Sequence, residues 1–273
     1  MGASASPTVT ADPGRPLQHA ALSEAEKGLA ALSTSVGKAL ALLDALGSGA
    51  ASLGVSELSR RADLPKSTAF RLLACLEEAG YVDRIGTEYC LGRRLFELGN
   101  QIAFCQPSGL RDAALPYLSE LYERTHHTVH LAVLDGVDVL YLEKLYGHDP
   151  TKSPSHVGRR VPAACCGLGK AMLAFGSAKS VHEVIGRGLE RRTPYTIADP
   201  KLFLDELKRV REDGVAYDRE EVVLGLTCVA APILKNDVAV AAVSVSGPTS
   251  RYDPATMANP VRRAANAIAQ RLG

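Results

Sequence analysis

The sequence has almost no excess of charge of either sign. Its 31 Lys and Arg residues stand against 30 Asp and Glu residues, a formal net charge of +1. This balance excludes a bulk basic tail and a strongly acidic chain, so binding to nucleic acid would require a local basic patch. Hydrophobic residues make up 46% of the 273 residues and charged residues 22%, so two domains can each bury a core.

Long apolar runs and paired cysteines are also missing. The most apolar run, over residues 238–243, is far shorter than the roughly 18 residues of a membrane helix. The N-terminus has no basic start followed by an apolar core, so no signal peptide is predicted. The six cysteines include no CxxC pair, which is typical of reduced thiols. We therefore expect a soluble, cytoplasmic protein without membrane contact, and a disordered tail over residues 1–34.

Three predicted helices occupy the N-terminal third. Apolar residues recur every three to four positions over residues 36–46, and a shorter helix follows over 55–62. Pro65 suits the first turn of a third helix, which extends to about Ala79 before Gly80 ends it. This third helix has one apolar face and one face of small or polar side chains. The apolar face consists of Ala69, Leu72, Leu73 and Leu76, and the opposite face of Ser67, Arg71, Ala74 and Glu78.

A predicted β-hairpin over residues 81–91 follows the third helix. Three helices and a hairpin in this order form a winged helix-turn-helix, and small hydrogen-bonding side chains with one Arg suit entry into the DNA major groove. Residues 56–76 carry four basic and two acidic side chains, a local positive excess. The alternative is a small helical scaffold with a solvated Ser/Arg face, which the helical pattern alone does not exclude. The order and spacing of the elements favour DNA binding.

The connecting segment predicts two more helices, over residues 93–105 and about 111–124, separated by Pro107, Ser108 and Gly109. Both are either ordinary surface helices, or the helix over residues 93–105 connects two domains. The histidines at 126, 127 and 130 invite a metal site, but the chain changes there from helix to strand. No Asp or Cys lies close enough in sequence to complete a zinc set, so we expect no metal.

The C-terminal half alternates predicted strands and helices. Two alternating apolar runs joined by Asp-Gly predict a hairpin over residues 129–147. Helices are expected over 167–175, 198–214 and around 261–272, with strands over 229–234 and 238–247 between them. Residues 151–170 contain four basic side chains and no acid. This pattern indicates an α/β sensor domain with a central antiparallel sheet.

Known catalytic motifs are absent from this half. The segment GLGKA places glycines at a helix start, where exposed N–H groups favour anions, but it lacks the spacing of a P-loop. No GxSxG motif is present. Cys228 is a possible nucleophile, although no base can be assigned to it and a buried cysteine is the commoner case.

Two further groups of polar residues stand out. The acidic residues Asp218, Glu220 and Glu221 precede a strand and belong either to a solvated loop or to ion pairs with the basic segment over 151–170. Ser244 and Ser246 alternate with valines, so both hydroxyls point to the same face of the sheet. A small polar ligand is one way to satisfy such a pair on a buried face.

Taken together, these segments resemble the IclR (isocitrate lyase regulator) family of bacterial transcription factors. The resemblance rests on LPKSTAFRLL and LGRRLFELG in the first half and on GRRVPAACCGLGKAMLA, GVAYDREEVVLGLTCVAAPI and VSVSGPTSR in the second. It covers about residues 35–270 and implies an α+β fold. A winged helix-turn-helix would span 35–92, a linker helix 93–110, and a GAF-like α/β effector-binding domain 111–273.

The resemblance also implies functional residues and partners. The DNA-binding positions would be Ser56, Lys66, Ser67, Thr68, Arg71 and, in the wing, Arg84. A carboxylate or aromatic acid effector would contact Val161, Gly167, Leu168, Asp218, Cys228, Ser244 and Ser246. Where the family commonly has Leu-His, this chain has Ala163-Ala164, which we expect to enlarge or redirect the pocket.

The predicted function is therefore regulation of transcription on a palindromic operator, by a homodimer or homotetramer that an effector controls. No enzymatic activity and no cofactor are expected. The alternative is an enzyme with a cysteine or acid/base site in the C-terminal domain.

Overall fold

The computed structural model describes residues 34–106, 109–148, 153 and 155–273. The predicted tail therefore lies outside the described residues, apart from Thr34. The chain divides into two compact units, the first ending at Gln101 and the second beginning at Ile102. Among the described residues, no helix is long and apolar enough to cross a membrane.

The described part of the first unit, residues 34–101, is built from four helices and three short strands. They are α1 (Ser35–Leu46), β1 (Leu53–Gly54), α2 (Val55–Arg61), α3 (Lys66–Glu78), β2 (Val82–Ile85), β3 (Glu88–Leu91) and α4 (Arg93–Gly99). The strands form an antiparallel sheet in the order β1-β3-β2. Leu42, Leu58, Leu73 and Val82 are fully buried, so α1, α2, α3 and the hairpin share one core. This confirms the predicted helices and hairpin.

Two local features of this unit differ from the prediction. The two-residue strand β1, which pairs Leu53 with Tyr89, is too short to show an alternating pattern. The helix expected over residues 93–105 ends at Gly99, and turns follow up to Cys105. Gly99 and Asn100 are poor helix formers, and the Asn100 side-chain amide donates a hydrogen bond to the Phe96 carbonyl.

The second unit contains a six-stranded antiparallel sheet. Its strands are β4 (Thr128–Asp135), β5 (Asp138–Leu145), β6 (Arg160–Pro162), β7 (Ala216–Arg219), β8 (Leu226–Lys235) and β9 (Val238–Pro248). Their order is β6-β5-β4-β9-β8-β7, so β4 and β9 are adjacent at the centre although they are far apart in the chain. The predicted hairpin and central antiparallel sheet are confirmed.

Helices cover both faces of this sheet. They are α5 (Leu110–Thr125), α6 (Gly167–Ala174), α7 (Ala178–Arg187), α8 (Pro200–Asp213) and α9 (Pro254–Arg271), and a 3₁₀ turn, Ala163–Cys165, precedes α6. One buried cluster joins α5 and α9 to one face, and a second joins α6, α7 and α8 to the other. Helix α9 begins seven residues before the predicted start, because the side chain of Asp253 caps it there. Pro260 lies inside this helix and does not end it. The predicted α+β class, with a winged helix-turn-helix and a GAF-like α/β domain, is confirmed.

Candidate functional site

Helix α3 exposes the side chains that the sequence pattern placed on its polar face. Lys66, Ser67 and Arg71 are exposed and Thr68 is half-buried, whereas Leu72 and Leu73 are buried on the opposite side. Neither Lys66 nor Arg71 forms an ion pair with a described residue. Pro65, the residue before the helix, provides no side-chain cap for the first turn. This end of α3 therefore combines two uncompensated positive charges with backbone N–H groups that suit phosphate oxygens.

The basic residues of α2 are engaged within their own helix. Glu57 accepts hydrogen bonds from Arg60 and from Arg61, the latter at 2.7 Å. These two hydrogen bonds lower the pKa of Glu57 to about 2, so it stays ionised and offsets part of their charge. The local positive excess counted from the sequence is therefore concentrated in α3. Ser56 lies exposed in the first turn of α2.

The hairpin β2–β3 places Arg84 at an exposed position beside its turn. The Nε–H group of Arg84 donates to the Gly86 carbonyl at 3.0 Å. Its guanidinium carbon lies 5.7 Å from the ring centre of Tyr89 on the neighbouring strand. Arg84 is thus held along the hairpin with its charge at the surface. All six predicted DNA-binding positions lie in the first unit, and only Thr68 is half-buried.

A small pocket, with free space for about one water molecule, lies in the second unit between the sheet and the start of α6. Six of the seven predicted effector-binding residues line it: Gly167, Leu168, Asp218, Cys228, Ser244 and Ser246. The seventh, Val161, is instead buried in the apolar cluster beneath α6. The structure thus brings together residues that are separated by up to 79 positions in the chain, Gly167 and Ser246.

Strand register explains why these polar side chains meet. Ser246 on β9 pairs with Cys228 on β8, which pairs with Asp218 on β7. Ser244 pairs with His130 on β4. Because side chains two residues apart share a face of a strand, both rows point to the side of the sheet that carries α6. The predicted common face of Ser244 and Ser246 is confirmed.

Glycines allow α6 to approach this face closely. A Cβ atom on Gly167 would lie 2.9 Å from Cys228 Sγ, and one on Gly169 would lie 2.1 Å from the Ala163 carbonyl oxygen. The Ala163-Ala164 pair therefore packs in the 3₁₀ turn directly against α6. Both alanines are buried, and neither is among the residues that line the pocket. Any effect of this pair on the pocket would therefore act through the position of α6, and the expected change of the pocket stays a prediction.

Asp218 stands beside a buried ion pair. The ammonium group of Lys170, fully buried on α6, contacts Glu221 at 2.5 Å and Glu206 at 3.6 Å. Burial alone would lower the pKa of Lys170, but the two carboxylates outweigh it and raise that pKa. Asp218 Oδ1 accepts a hydrogen bond from the Glu221 N–H at 2.7 Å. Of the two sequence-based alternatives for the acidic cluster, ion pairing with the basic segment is correct for Glu221.

The pocket's titratable groups are poorly suited to nucleophilic catalysis. Burial raises the pKa values of the Cys228 and Cys166 thiols far above the ordinary value of a thiol. Burial and the Glu221 carboxylate raise the pKa of Asp218 to about 7. A thiol must ionise to act as a nucleophile, so Cys228 lacks the required activation. The described residues contain no group of three His, Cys, Asp or Glu side chains placed to hold a metal.

Six lining residues were missed by the sequence reasoning: His130, Tyr141, Ser153, Cys166, Val222 and Leu226. His130 is a buried strand residue at the pocket wall. Strand alternation predicts the face of His130. Its position opposite Ser244 required the pairing of β4 with β9 across more than 100 residues.

Comparisons with known proteins agree for both units. Residues 35–86 match the IclR helix-turn-helix domain, and residues 103–270 match the bacterial transcriptional regulator IclR C-terminal domain. The chain is 35% identical to the HTH-type transcriptional regulator XynR of Escherichia coli K12 over 246 residues, which cover 88% of this chain and 97% of XynR. It is 32% identical to the transcriptional repressor IclR of the same organism, over 80% of this chain and 81% of the repressor.

A solved structure has the same fold. It is an IclR homologue from Microbacterium hydrocarbonoxydans complexed with 4-hydroxybenzoate, which superposes with a TM-score of 0.81 at 28% identity. The superposition covers 88% of this chain and 99% of that one. With both domains matched in order, the chain belongs to the IclR family of bacterial transcriptional regulators.

Proposed function

We propose that the chain is a transcriptional repressor that binds a palindromic operator through α3 and releases or tightens its hold when a small organic acid enters the pocket. The single observation that carries the DNA-binding part is the exposed face of α3, with Lys66 and Arg71 unpaired toward other described residues. The proposed DNA-binding domain covers 35–92, the linker 93–110 and the effector domain 111–273. A regulator of this kind acts on cytoplasmic DNA without catalysing a reaction.

On the DNA, α3 would enter the major groove. Arg71 is long enough and free enough to donate two hydrogen bonds to a guanine, while Ser67 and Thr68 suit base edges or phosphates. Lys66, at the helix start, and Ser56 would contact the sugar-phosphate backbone of the DNA. Arg84, in the wing, would reach phosphates or the minor groove. Because the net charge is only +1, non-specific binding would be weak.

In the pocket, the carboxylate of the effector would meet the backbone N–H groups at Gly167 and Leu168, the first residues of α6. Asp218, Cys228, Ser244 and Ser246 would form the polar wall. The related protein from Microbacterium hydrocarbonoxydans binds 4-hydroxybenzoate, which supports an acid of similar size here. The free space inside the pocket holds about one water molecule. A larger acid would therefore bind only if the lining side chains moved.

Exposed apolar residues support pairing of copies. Val36 and Leu40 lie one turn apart on α1 and are 68% and 38% exposed, and Phe96 on α4 is 75% exposed. Such residues are costly to leave in water and would be covered in a homodimer or homotetramer. A two-fold symmetric protein reads a palindromic site, because each copy contacts one half.

The test is selection of genomic DNA fragments by the full-length protein, followed by fluorescence anisotropy on the enriched sequence. We expect one palindromic sequence to be enriched, and its binding to be tighter than that of a scrambled duplex by about a thousandfold or more. Addition of 4-hydroxybenzoate or a related acid should change that affinity. Equal binding to all fragments at physiological salt would contradict the proposal.

A further inference from the structure

His130 lines the pocket but is not among the effector contacts proposed above. It is 4% exposed, on β4, and it lines the pocket next to Ser244. Burial and the positive charge of Lys144 lower the pKa of His130 to about 3. The ring is therefore neutral at physiological pH, with a proton on only one of its two nitrogens.

A hydrogen-bond chain decides which nitrogen carries that proton. Ser155 Oγ lies 2.8 Å from His130 Nε2, 3.1 Å from Lys144 Nζ and 2.6 Å from Ser153 Oγ. Lys144 can only donate. The Ser155 N–H already donates to Ser153 Oγ, and we assign the Ser153 hydroxyl proton to the bond with Ser155 Oγ. With both lone pairs of Ser155 Oγ occupied, its proton goes to His130 Nε2, and the ring proton resides on Nδ1.

The resulting Nδ1–H group has a poor partner within the protein. Among the described residues its hydrogen-bond partner is Ser244 Oγ at 3.4 Å, beyond the usual range of about 2.7–3.2 Å. Ser244 also lines the pocket. A ligand oxygen placed between these two side chains would form a shorter bond than the protein supplies.

His130 and the start of α6 lie over strands that are not adjacent in the sheet. Gly167 lies over Cys228 and Ala230 on β8, whereas His130 is on β4, with β9 between them. Two strand spacings of about 4.8 Å separate these positions, roughly 10 Å in all. A ligand that satisfies both ends therefore needs two separated oxygen functions.

We propose that the Nδ1–H group of His130 is a specificity-determining donor, which selects organic acids that carry a second oxygen function at the end remote from their carboxylate. This inference rests on the proposed function, since it assumes an acid at α6. His130 contacts the ligand, while Lys144, Ser153 and Ser155 are positioning residues that fix the ring proton. A hydroxyl, a carbonyl or a second carboxylate supplies the required acceptor.

The test uses two matched pairs of acids, benzoate with 4-hydroxybenzoate and pentanoate with glutarate. Their binding to the full-length chain is measured by calorimetry at up to about 10 mM. We expect the oxygenated member of at least one pair to bind about five- to tenfold more tightly, the effect of one hydrogen bond. His130→Phe should reduce this ratio to about twofold or less, and His130→Asn, which keeps an N–H donor near Nδ1, should retain most of it.

Controls separate this role from a structural one. A histidine that only held the 153–155 segment would change the binding of both acids of a pair equally, so the ratio is the decisive measurement. Ser119→Ala, at an exposed position of α5 on the opposite face of the sheet, should leave it unchanged. If His130→Phe fails to fold, Lys144→Met tests the same series of hydrogen bonds through Ser155. This variant should lower the affinity ratio at least about threefold.

The outcomes distinguish the two levels of the proposal. An unchanged ratio in folded His130→Phe, or in folded Lys144→Met if that variant is used, would overturn the role of His130 and leave the acid effector standing. Absence of binding by all four acids to a wild-type protein that still binds its operator would instead contradict the acid effector, and the role of His130 with it.

Discussion

Lys66 and Lys170 carry the same charge in opposite surroundings. Lys66 lies exposed at the start of α3 without an ion-pair partner among the described residues, and Lys170 is fully buried between Glu221 and Glu206. A surface cation remains available to a phosphate. A buried one needs its own carboxylate, because an unpaired charge in the interior is costly. The first unit thus leaves the charge of Lys66 exposed to solvent, and the second neutralises that of Lys170 in its interior.

The largest effect should come from breaking the buried pair. Lys170→Met leaves Glu221 without its cation and should lower the free energy of unfolding by about 3–5 kcal/mol. Urea denaturation measures it. Lys179→Met is the matched control, since Lys179 is 85% exposed beside Glu183 and should change stability by less than about 0.5 kcal/mol. Equal effects of the two substitutions would refute the contrast between buried and exposed lysines.

A glycine pair tests how closely α6 must approach the sheet. Gly169→Ala places a Cβ against the backbone of Ala163 and should destabilise by about 1–3 kcal/mol. Gly186→Ala, on α7, meets no atom within 4 Å and should stabilise by up to about 1 kcal/mol, because alanine favours helix. Thermal unfolding of both variants checks the opposite signs. A neutral Gly169→Ala would show that the pocket floor tolerates displacement of α6.

The exposed site should respond in binding and not in stability. Arg71→Ala should weaken specific operator binding by about 1–3 kcal/mol, the range for a good base contact, with an unchanged unfolding midpoint. Arg263→Ala, exposed in the second unit, is the control and should leave operator affinity unaltered. Anisotropy on the selected operator measures both. Wild-type affinity in a folded Arg71→Ala protein would remove α3 from the recognition role.

A further expected effect is a dependence of stability on pH. The pKa of Asp218 is about 7 in the folded protein against about 3.9 in an unfolded chain, so the folded state binds the proton more tightly. The resulting stabilisation is present below about pH 4 and is lost as the pH rises toward 7. The difference in unfolding free energy between wild type and Asp218→Asn should change across this window. A constant difference would show that Asp218 titrates normally.

Much of the site was predictable, and the exceptions share a cause. The face of α3 follows from helical periodicity, and the common face of Ser244 and Ser246 from strand alternation, both of which are local. His130 was set aside because nothing within a few residues of it indicates a pocket. Val161 was placed at the pocket wall by resemblance, but its side chain turns into the core. Both outcomes depend on which strands become neighbours.

By itself, the sequence determined the elements and their buried faces, since propensity, capping and apolar spacing act over a few residues. It also determined that any DNA contact must be local, because the net charge is near zero. Only the tertiary structure decided that β4 pairs with β9, which sets His130 opposite Ser244, and that Lys170 meets Glu221 across 51 positions. Such long-range pairings result from the packing of the whole sheet, so no local pattern encodes them.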